Sequence, residues 1–258
     1  MELKQVAFSY NKQVNSLSDV TVSIASNRIT TIIGPNGSGK STLLGVLARH
    51  LLPQSGSAIL DGKVIADYKP REFARKLAVV HQMNEAPSDL TVEKLVAFGR
   101  MPHRTMWMPS GKEDDEAVDW AISMTNLQDK RKKRISEMSG GERQRVWIAM
   151  ALAQRTPILL LDEPTTFLDM YYQYELLELV RKLNASLGLT IVMVLHDLNQ
   201  AIRYSDYMLV MKDGELLHQG TPEQVVNEQS MKQIYGMNVV IRSDERTGLY
   251  MVPVGISE

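Results

Sequence analysis

The sequence predicts an α/β fold: a mostly parallel, covered sheet, an antiparallel β subdomain at the N-terminus, and an α-helical lobe inserted midway. Three observations point there. Short apolar runs, "RITTIIG", "KLAVVHQ", "PILLLDEP" and "TIVMVLHD", recur along the chain between loops and helical stretches, the pattern of βα units around buried strands. Residues 2–10 and 18–25, rich in Thr, Val and Ile, read as two strands around the polar loop Asn11–Ser16. Residues 91–153 then change character, with three helical patterns in succession.

The elements follow in order. "RITTIIG" is a strand that ends at a glycine loop, and "STLLGVLARHL" after it has helical periodicity. "GSAILDGKVI" is a hairpin turning at Asp61-Gly62. The helical lobe, approximately 89–153, contains "TVEKLVAFGR", "KEDDEAVDWAISMTNL" and "GERQRVWIAMALAQ", with Pro102 and Pro109 breaking the path between the first two. The α/β core resumes with the strand "PILLLDEP", a helix over Met170–Ser186, the strand "TIVMVLHD" and the helix "LNQAIRYS". "DYMLVMKDGELLHQG" turns at Asp213-Gly214. Residues 1–225 are thus expected to form one domain, and the tail, 226–258, to add a small hairpin.

Composition narrows the function classes. Hydrophobic residues make up 44% and charged residues 23%, values of a soluble chain able to bury a core. A net charge of -1 gives no general pull toward nucleic acid. The basic run "KRKKR" (130–134) lacks interleaved aromatics and reads as a solvated loop. The absence of cysteine removes disulfides, cysteine zinc sites and thiol catalysis. "MELKQVAFSY" has neither a basic n-region nor an apolar h-region, so no signal peptide is expected. The apolar runs fall far short of the ~20 residues a membrane helix needs. A cytoplasmic chain is expected, linked to any membrane only through a partner.

Two motifs carry phosphate chemistry. "GPNGSGKST" (34–42) lies between a strand and a helix, the context of a P-loop NTPase core. Its glycines let successive N–H groups of Asn36, Gly37, Ser38 and Gly39 face one anion, beside a helix N-terminus. Lys40 would reach the β- and γ-phosphates, Ser41 would ligate Mg²⁺, and Thr42 would add a phosphate contact. In "ILLLDEP" (158–164), an apolar strand delivers Asp162 to the carboxyl end of the sheet as a Mg²⁺ partner. Glu163 then orients or deprotonates the attacking water. His196 ends "TIVMVLHD" on the same edge, positioned for a γ-phosphate contact or a structural role. Gln82 is either a neutral Mg²⁺ ligand or an ordinary polar strand end, and Tyr10 either a purine-stacking ring or a half-buried strand tyrosine.

"SGGERQ" (139–144) reads either as a second anion cradle or as a helix cap with two incidental glycines. Ser139 and Glu142 have the spacing of a capping box. Gly140 and Gly141 each cost about 1 kcal/mol relative to alanine inside a helix, so something requires bare backbone there. With one lysine loop in the chain, either the lobe closes over its own nucleotide or the cradle serves the nucleotide of a second copy.

Together, "GPNGSGKST", Gln82, "MSGGERQ", "LLLDEP", "FLD" (167–169) and His196 resemble the ATPase subunits of ABC transporters over residues 1–225. The resemblance implies a head-to-tail homodimer that sandwiches two ATP. It implies Tyr10 on adenine, Gly37–Thr42 on phosphates, Ser41, Gln82 and Asp162 on Mg²⁺, and Ser139, Gly140 and Gly141 on the partner's γ-phosphate. It makes Lys40, Glu163 and His196 the catalytic set, and gives Asp169 a role across the interface. "VAFGRMPHR", "LVRKLNASLGLTIVMVLHDLNQAIRYSDYMLVMKDGELLHQGTPEQVV" and "IYGM" are similar to importers of iron-siderophores, haem and cobalamin. Membrane permease subunits, a solute-binding protein and a place on the cytoplasmic face of the membrane are implied with them. One departure is Tyr172-Gln173, where many such subunits have a histidine before the glutamine. "VAFGRMPHRTMWMPSG", with Trp107, is the candidate permease surface or else packs within the lobe. The rival readings are a soluble ABC-type ATPase of DNA repair, translation or cofactor assembly, and a phosphoryl-transfer kinase. Long coiled-coil insertions or paired ATPase domains are absent from this sequence, and "SGGERQ" with His196 stands against a kinase.

Overall fold

The computed structural model describes residues 1–11, 15–104 and 111–257. They form two compact units, Met1–Asp67 with Thr190–Glu258, and Tyr68–Leu189. The first unit begins with β1 (Glu2–Phe8), β2 (Leu17–Ser23), β3 (Ile29–Ile33), α1 (Lys40–Leu47), β4 (Ser55–Leu60) and β5 (Lys63–Val64). β1 pairs antiparallel with both β2 and β4, and β5 adds to β4. A register shift between Leu3 and Val6 of β1, where Gln5 takes a φ of 50°, sets both on the buried face opposite Val22 and Val20 of β2. Asp61 and Gly62, with φ of 49° and 76°, make the two-residue turn that joins β4 to β5. β3 differs: all five of its residues are buried, as a strand covered on both faces must be.

The second unit contains α2 (Pro70–Ala74), β6 (Leu77–Val80), α3 (Val92–Ala97), α4 (Lys112–Met124), α5 (Gly140–Ala153), β7 (Ile158–Leu161) and α6 (Met170–Leu187). β6 and β7 pair in parallel, with Val80 opposite Leu161. α3, α4 and α5 pack on one another, and Leu95, Val96, Val118, Ile122 and Ile148 on them are all buried. Pro102 sits inside a 3₁₀ turn over Phe98–His103 that follows α3 directly. Trp107 and Pro109 lie outside the described residues.

Arg100 of that turn is buried. Its Nε donates to Asp114 Oδ1 at 2.8 Å and its Nη1 to the Ala153 carbonyl at 2.9 Å. Arg104 Nε reaches the other Asp114 oxygen at 2.9 Å. Burial would raise the Asp114 carboxyl, but the hydrogen bonds and charges of the two arginines outweigh it and hold the group below its ordinary range. This buried cluster ties the turn to the start of α4 and the end of α5.

The chain returns to the first unit with β8 (Thr190–Val194), α7 (Leu198–Tyr204), β9 (Tyr207–Lys212), β10 (Glu215–Gly220), α8 (Pro222–Val225), α9 (Glu228–Tyr235), β11 (Met237–Asp244) and β12 (Gly248–Ile256). β8 and β9 flank β3 in parallel, Val194 and Val210 pairing with Ile32 and Ile33 respectively. β10 turns back on β9 through Asp213 and Gly214, at φ of 51° and 82°. β11 and β12 form an antiparallel hairpin, with β11 against α9 and β12 against α7. No helix among the described residues is long and apolar enough to cross a membrane.

Candidate functional site

In the first unit, the glycine loop joins the end of β3 to the start of α1. Gly34 has φ of 150°, and a Cβ there would lie 2.1 Å from the Met211 carbonyl oxygen. Gly39 has φ of 98°, and its Cβ would lie 2.4 Å from the Ser16 carbonyl oxygen. Only glycine permits both conformation and approach at these positions. α1 has no side-chain cap, so its first N–H groups are left for an anion.

Lys40 Nζ is folded back onto the Gly34 and Pro35 carbonyls at 2.9 and 2.8 Å. Ser38 Oγ is buried, its residue 2% exposed, and has no hydrogen-bond partner. A buried hydroxyl left unpaired costs about 1–3 kcal/mol unless a ligand satisfies it. These donors therefore fit a phosphate group. Asn36, Gly37 and Ser41 are exposed at the loop surface. The Thr42 hydroxyl lies 3.4 Å from that of Tyr10, whose ring is 67% exposed and stands edge-on to Phe8 at 4.9 Å. The parallel register of β8 and β3, sealed by the Leu195 N–H on the Ile32 carbonyl, brings exposed His196 out on the same edge as the loop.

The second unit holds the carboxylates. Gln82 follows β6, and Asp162 and Glu163 follow β7. The Asp162 N–H donates to the Val80 carbonyl at 2.9 Å, which carries the parallel pairing past the strand end. Glu163 Oε2 accepts from Gln82 Nε2 at 2.5 Å and from Thr166 Oγ1 at 3.1 Å. Glu163 also sits at φ of 47°, a left-handed conformation uncommon for a residue with a side chain. Two donors thus fix one carboxylate in a strained backbone. Gln82 was expected as a metal ligand or a plain strand end; its amide nitrogen holds Glu163, leaving its carbonyl oxygen on the other side of the amide. In this unit that oxygen and the Asp162 carboxylate are hard oxygen donors of the kind magnesium takes, and in the first unit the Ser41 hydroxyl is one by itself. Thr166 was not singled out in the sequence, because a threonine in "DEPTTFLD" carries no spacing signal of its own.

The second cradle is a capping box in three dimensions. The Ser139 N–H donates to Glu142 Oε2 at 2.9 Å, and the Glu142 N–H to Ser139 Oγ at 3.4 Å. Lys130 pairs with the same carboxylate. The two glycines are bare for different reasons. A Cβ on buried Gly141 would lie 2.9 Å from the Tyr172 ring, whereas one on Gly140 would meet only Leu168 at 3.6 Å. Tyr172 is the residue that departs from the histidine pattern. Asp169 caps α6 by accepting the Tyr172 N–H at 3.2 Å, so the starts of α5 and α6 lie against each other. Around Asp169, Phe167, Met170 and Tyr171 are 85%, 75% and 72% exposed.

The basic run is more firmly held than a solvated loop. Arg131 binds Glu93 at 2.7 Å and Asp119 at 2.5 Å, and the Val92 N–H donates to the Lys133 carbonyl.

Comparison with known proteins places this arrangement. A match to the ABC transporter family spans residues 17–166. The chain belongs to the ABC transporter ATP-binding family. This ABC cassette is 47% identical over 241 residues to the petrobactin import ATP-binding protein FpuC of Bacillus anthracis, covering 93% of its own length and 88% of the relative's. It is 43% identical over 253 residues to the ferric enterobactin transport ATP-binding protein FepC of Escherichia coli strain K12, covering 98% and 93%. Among solved structures, it is similar to a dimeric ATP-binding cassette in a post-hydrolysis state bound to ADP and Pi, with a TM-score of 0.73, 30% identity and coverage of 86% and 98%. The chain is thus an ABC-type ATPase with the α/β fold expected from its sequence.

Proposed function

We propose that this ABC ATPase is the energy-coupling subunit of a membrane importer for iron-siderophore-type chelates, acting as a homodimer beneath permease subunits that receive cargo from a solute-binding protein. The observation that carries hydrolysis is Glu163, a carboxylate held by Gln82 and Thr166 directly after Asp162. Import of a chelate rests on the near full-length similarity to petrobactin and enterobactin import ATP-binding proteins. A peripheral place on the cytoplasmic face of the membrane follows from that partnership.

The roles divide as follows. Tyr10 stacks on the adenine. The N–H groups of Asn36–Gly39, the unpaired Ser38 hydroxyl, Lys40 and Thr42 bind the phosphates, Lys40 leaving the Gly34 and Pro35 carbonyls to do so. Ser41, Gln82 and Asp162 hold magnesium, which, when bound, screens the charge on the β- and γ-phosphates. Glu163 takes the proton of the attacking water, Gln82 and Thr166 keeping its oxygen in place, and His196 contacts the γ-phosphate.

Ser139, Gly140 and Gly141 complete the site of the other copy, with Asp169 beside them. The exposed apolar Phe167, Met170 and Tyr171 support an interface there. Phe98 and Met101, 48% and 62% exposed on the turn that Arg100 anchors, support a permease-facing surface in the described part of 96–111.

The test is Glu163→Gln. Turnover should fall by roughly 10²–10⁴-fold while ATP binding persists, measured as phosphate release against equilibrium binding of labelled ATP. Unchanged phosphate release would remove Glu163 as the base. Uptake of labelled ferric siderophore in cells that express the chain with its permease, lost with the same substitution, tests the import reading.

A further inference from the structure

Glu142 sets a charge problem at the second cradle. It lies in the first turn of α5, directly after the glycine pair, so its carboxylate is an anion at the helix end assigned to receive another anion. Both carboxylate oxygens are engaged. Oε2 accepts the Ser139 N–H at 2.9 Å, and Oε1 takes the ammonium of Lys130. The return bond, from the Glu142 N–H to Ser139 Oγ, is longer at 3.4 Å, so the carboxylate is the firmer half of the capping box. Lys130 is itself well anchored. It ends a 3₁₀ turn over Gln128–Lys130, and the residues after it are bonded to the start of α3. There the Lys133 carbonyl accepts the Val92 N–H at 3.0 Å, the Arg131 carbonyl accepts the Glu93 N–H at 3.1 Å, and the Ile135 N–H donates to the Leu90 carbonyl at 2.9 Å. Arg131 adds its ion pairs to Glu93 and Asp119. Thr91, at the N-cap of α3, makes no side-chain cap, so these carbonyls satisfy N–H groups that the helix end would leave bare. The lysine is thus held at its root by backbone bonds and at its tip by Glu142.

We propose that Lys130 is a positioning residue of the Ser139 cradle, holding Glu142 in its capping bond and cancelling its charge beside the γ-phosphate of the second copy. A helix N-terminus favours one anion. With Glu142 alone, that place is taken by the protein's own carboxylate, and a phosphate arriving at Ser139, Gly140 and Gly141 meets a like charge. The Lys130 ammonium neutralises the carboxylate, so the bare N–H groups and the Ser139 hydroxyl meet the phosphate with their own polarity. The same ammonium fixes one carboxylate oxygen, which leaves the other a single direction in which to accept the Ser139 N–H. The pair is partly exposed, with 31% of the lysine and 18% of the glutamate side chain accessible, so it adds little to global stability. Its consequence lies in the cradle.

Charge cancellation rests on the reading that the cradle serves a second copy's nucleotide, whereas positioning is tested without nucleotide. Lys130→Met keeps most of the side chain and removes its charge. Hydrogen exchange, followed by mass spectrometry on the nucleotide-free protein, should show faster exchange in the peptide spanning Met138–Arg145, and Lys130→Arg should return it to the parental rate. In phosphate release from ATP, Lys130→Met should lower kcat at least about tenfold, the scale of a like charge near an anion at a protein surface. The equilibrium affinity of the chain for labelled ATP should stay parental, because the cradle meets the phosphate only when two copies close. Adding Glu142→Gln to Lys130→Met should restore kcat to within about threefold of the parent, since glutamine keeps the capping bond and carries no charge. Parental exchange or parental kcat in Lys130→Met would overturn the proposal. So would a double variant as slow as Lys130→Met, which would trace the loss to the folding of the loop. Failure of the Glu163→Gln protein to dimerise with ATP would overturn the two-copy reading instead, while the exchange comparison would still decide whether Lys130 holds the cap.

Discussion

Gly140 and Gly141 are neighbours in the chain, but substitution separates them. Gly141 is buried under the Tyr172 ring, so Gly141→Ala forces an overlap at 2.9 Å and should cost about 1–3 kcal/mol of stability. Gly140→Ala meets only Leu168 at 3.6 Å and gains helix propensity, so thermal unfolding should stay at the parental temperature or rise slightly. If the exposed Gly140 backbone faces a phosphate on another copy, the same stable variant should lose at least about tenfold in turnover. Scanning calorimetry beside phosphate release makes the distinction, and full activity in Gly140→Ala would leave the cradle a helix cap alone. The cap itself was legible, since Ser139 and Glu142 have the spacing of reciprocal hydrogen bonds. The reason for Gly141 was not. A ring from α6 reaching α5 depends on how two helices pack, and no local pattern encodes it. The same holds for Thr166 and Gln82 on Glu163, a convergence of side chains from two different strand ends.

At the scale of elements, the strands were readable because burial on both faces demands unbroken apolar runs, as in β3, β7 and β8. Both Asp-Gly turns were readable because few other pairs tolerate two successive positive φ values. What the pattern hid was the charge inside the helical region. Arg100 has the sequence context of a surface arginine, yet it is among the largest fully buried side chains and depends on Asp114.

Asp114→Asn leaves that guanidinium only the exposed Glu113 carboxylate at 3.5 Å as counter-charge and should cost about 3 kcal/mol, lowering the unfolding temperature by roughly 5–10 °C. The sign with pH follows from the depressed carboxyl. Its contribution is complete above the unfolded value of 3.8 and disappears as pH falls through the lower folded value. The gap between parent and variant should therefore be constant near neutrality and narrow only below pH 3.8. A gap that closed at higher pH would show that charge pairing is not what the cluster supplies. Because Arg100 anchors the turn bearing Phe98 and Met101, the variant should also lose siderophore uptake more than it loses ATPase activity.

At the scale of the whole molecule, the choice left open by the sequence is between a lobe that closes on its own nucleotide and a head-to-tail pair of chains. Complementation decides it. Two variants in the Glu163→Gln background are needed, one with Lys40→Ala and one with Ser139→Arg. Alone, each has every site broken under either arrangement, so neither should dimerise with ATP. Mixed, a head-to-tail heterodimer contains one site with both defects and one site with neither, because the intact loop of the Ser139→Arg chain meets the intact cradle of the Lys40→Ala chain. Light scattering should then show an ATP-dependent dimer only in the mixture, retaining one ATP per pair. Its dissociation constant should be weaker than that of the Glu163→Gln homodimer, which closes on two nucleotides. Under the one-chain lid, mixing repairs nothing, because each chain still lacks either its lysine or its cradle, and the sample stays monomeric. Phe167, Met170 and Tyr171 give the mixture an apolar surface to bury on closure, so Tyr171→Glu should weaken the ATP-trapped dimer without altering the affinity of a single chain for ATP.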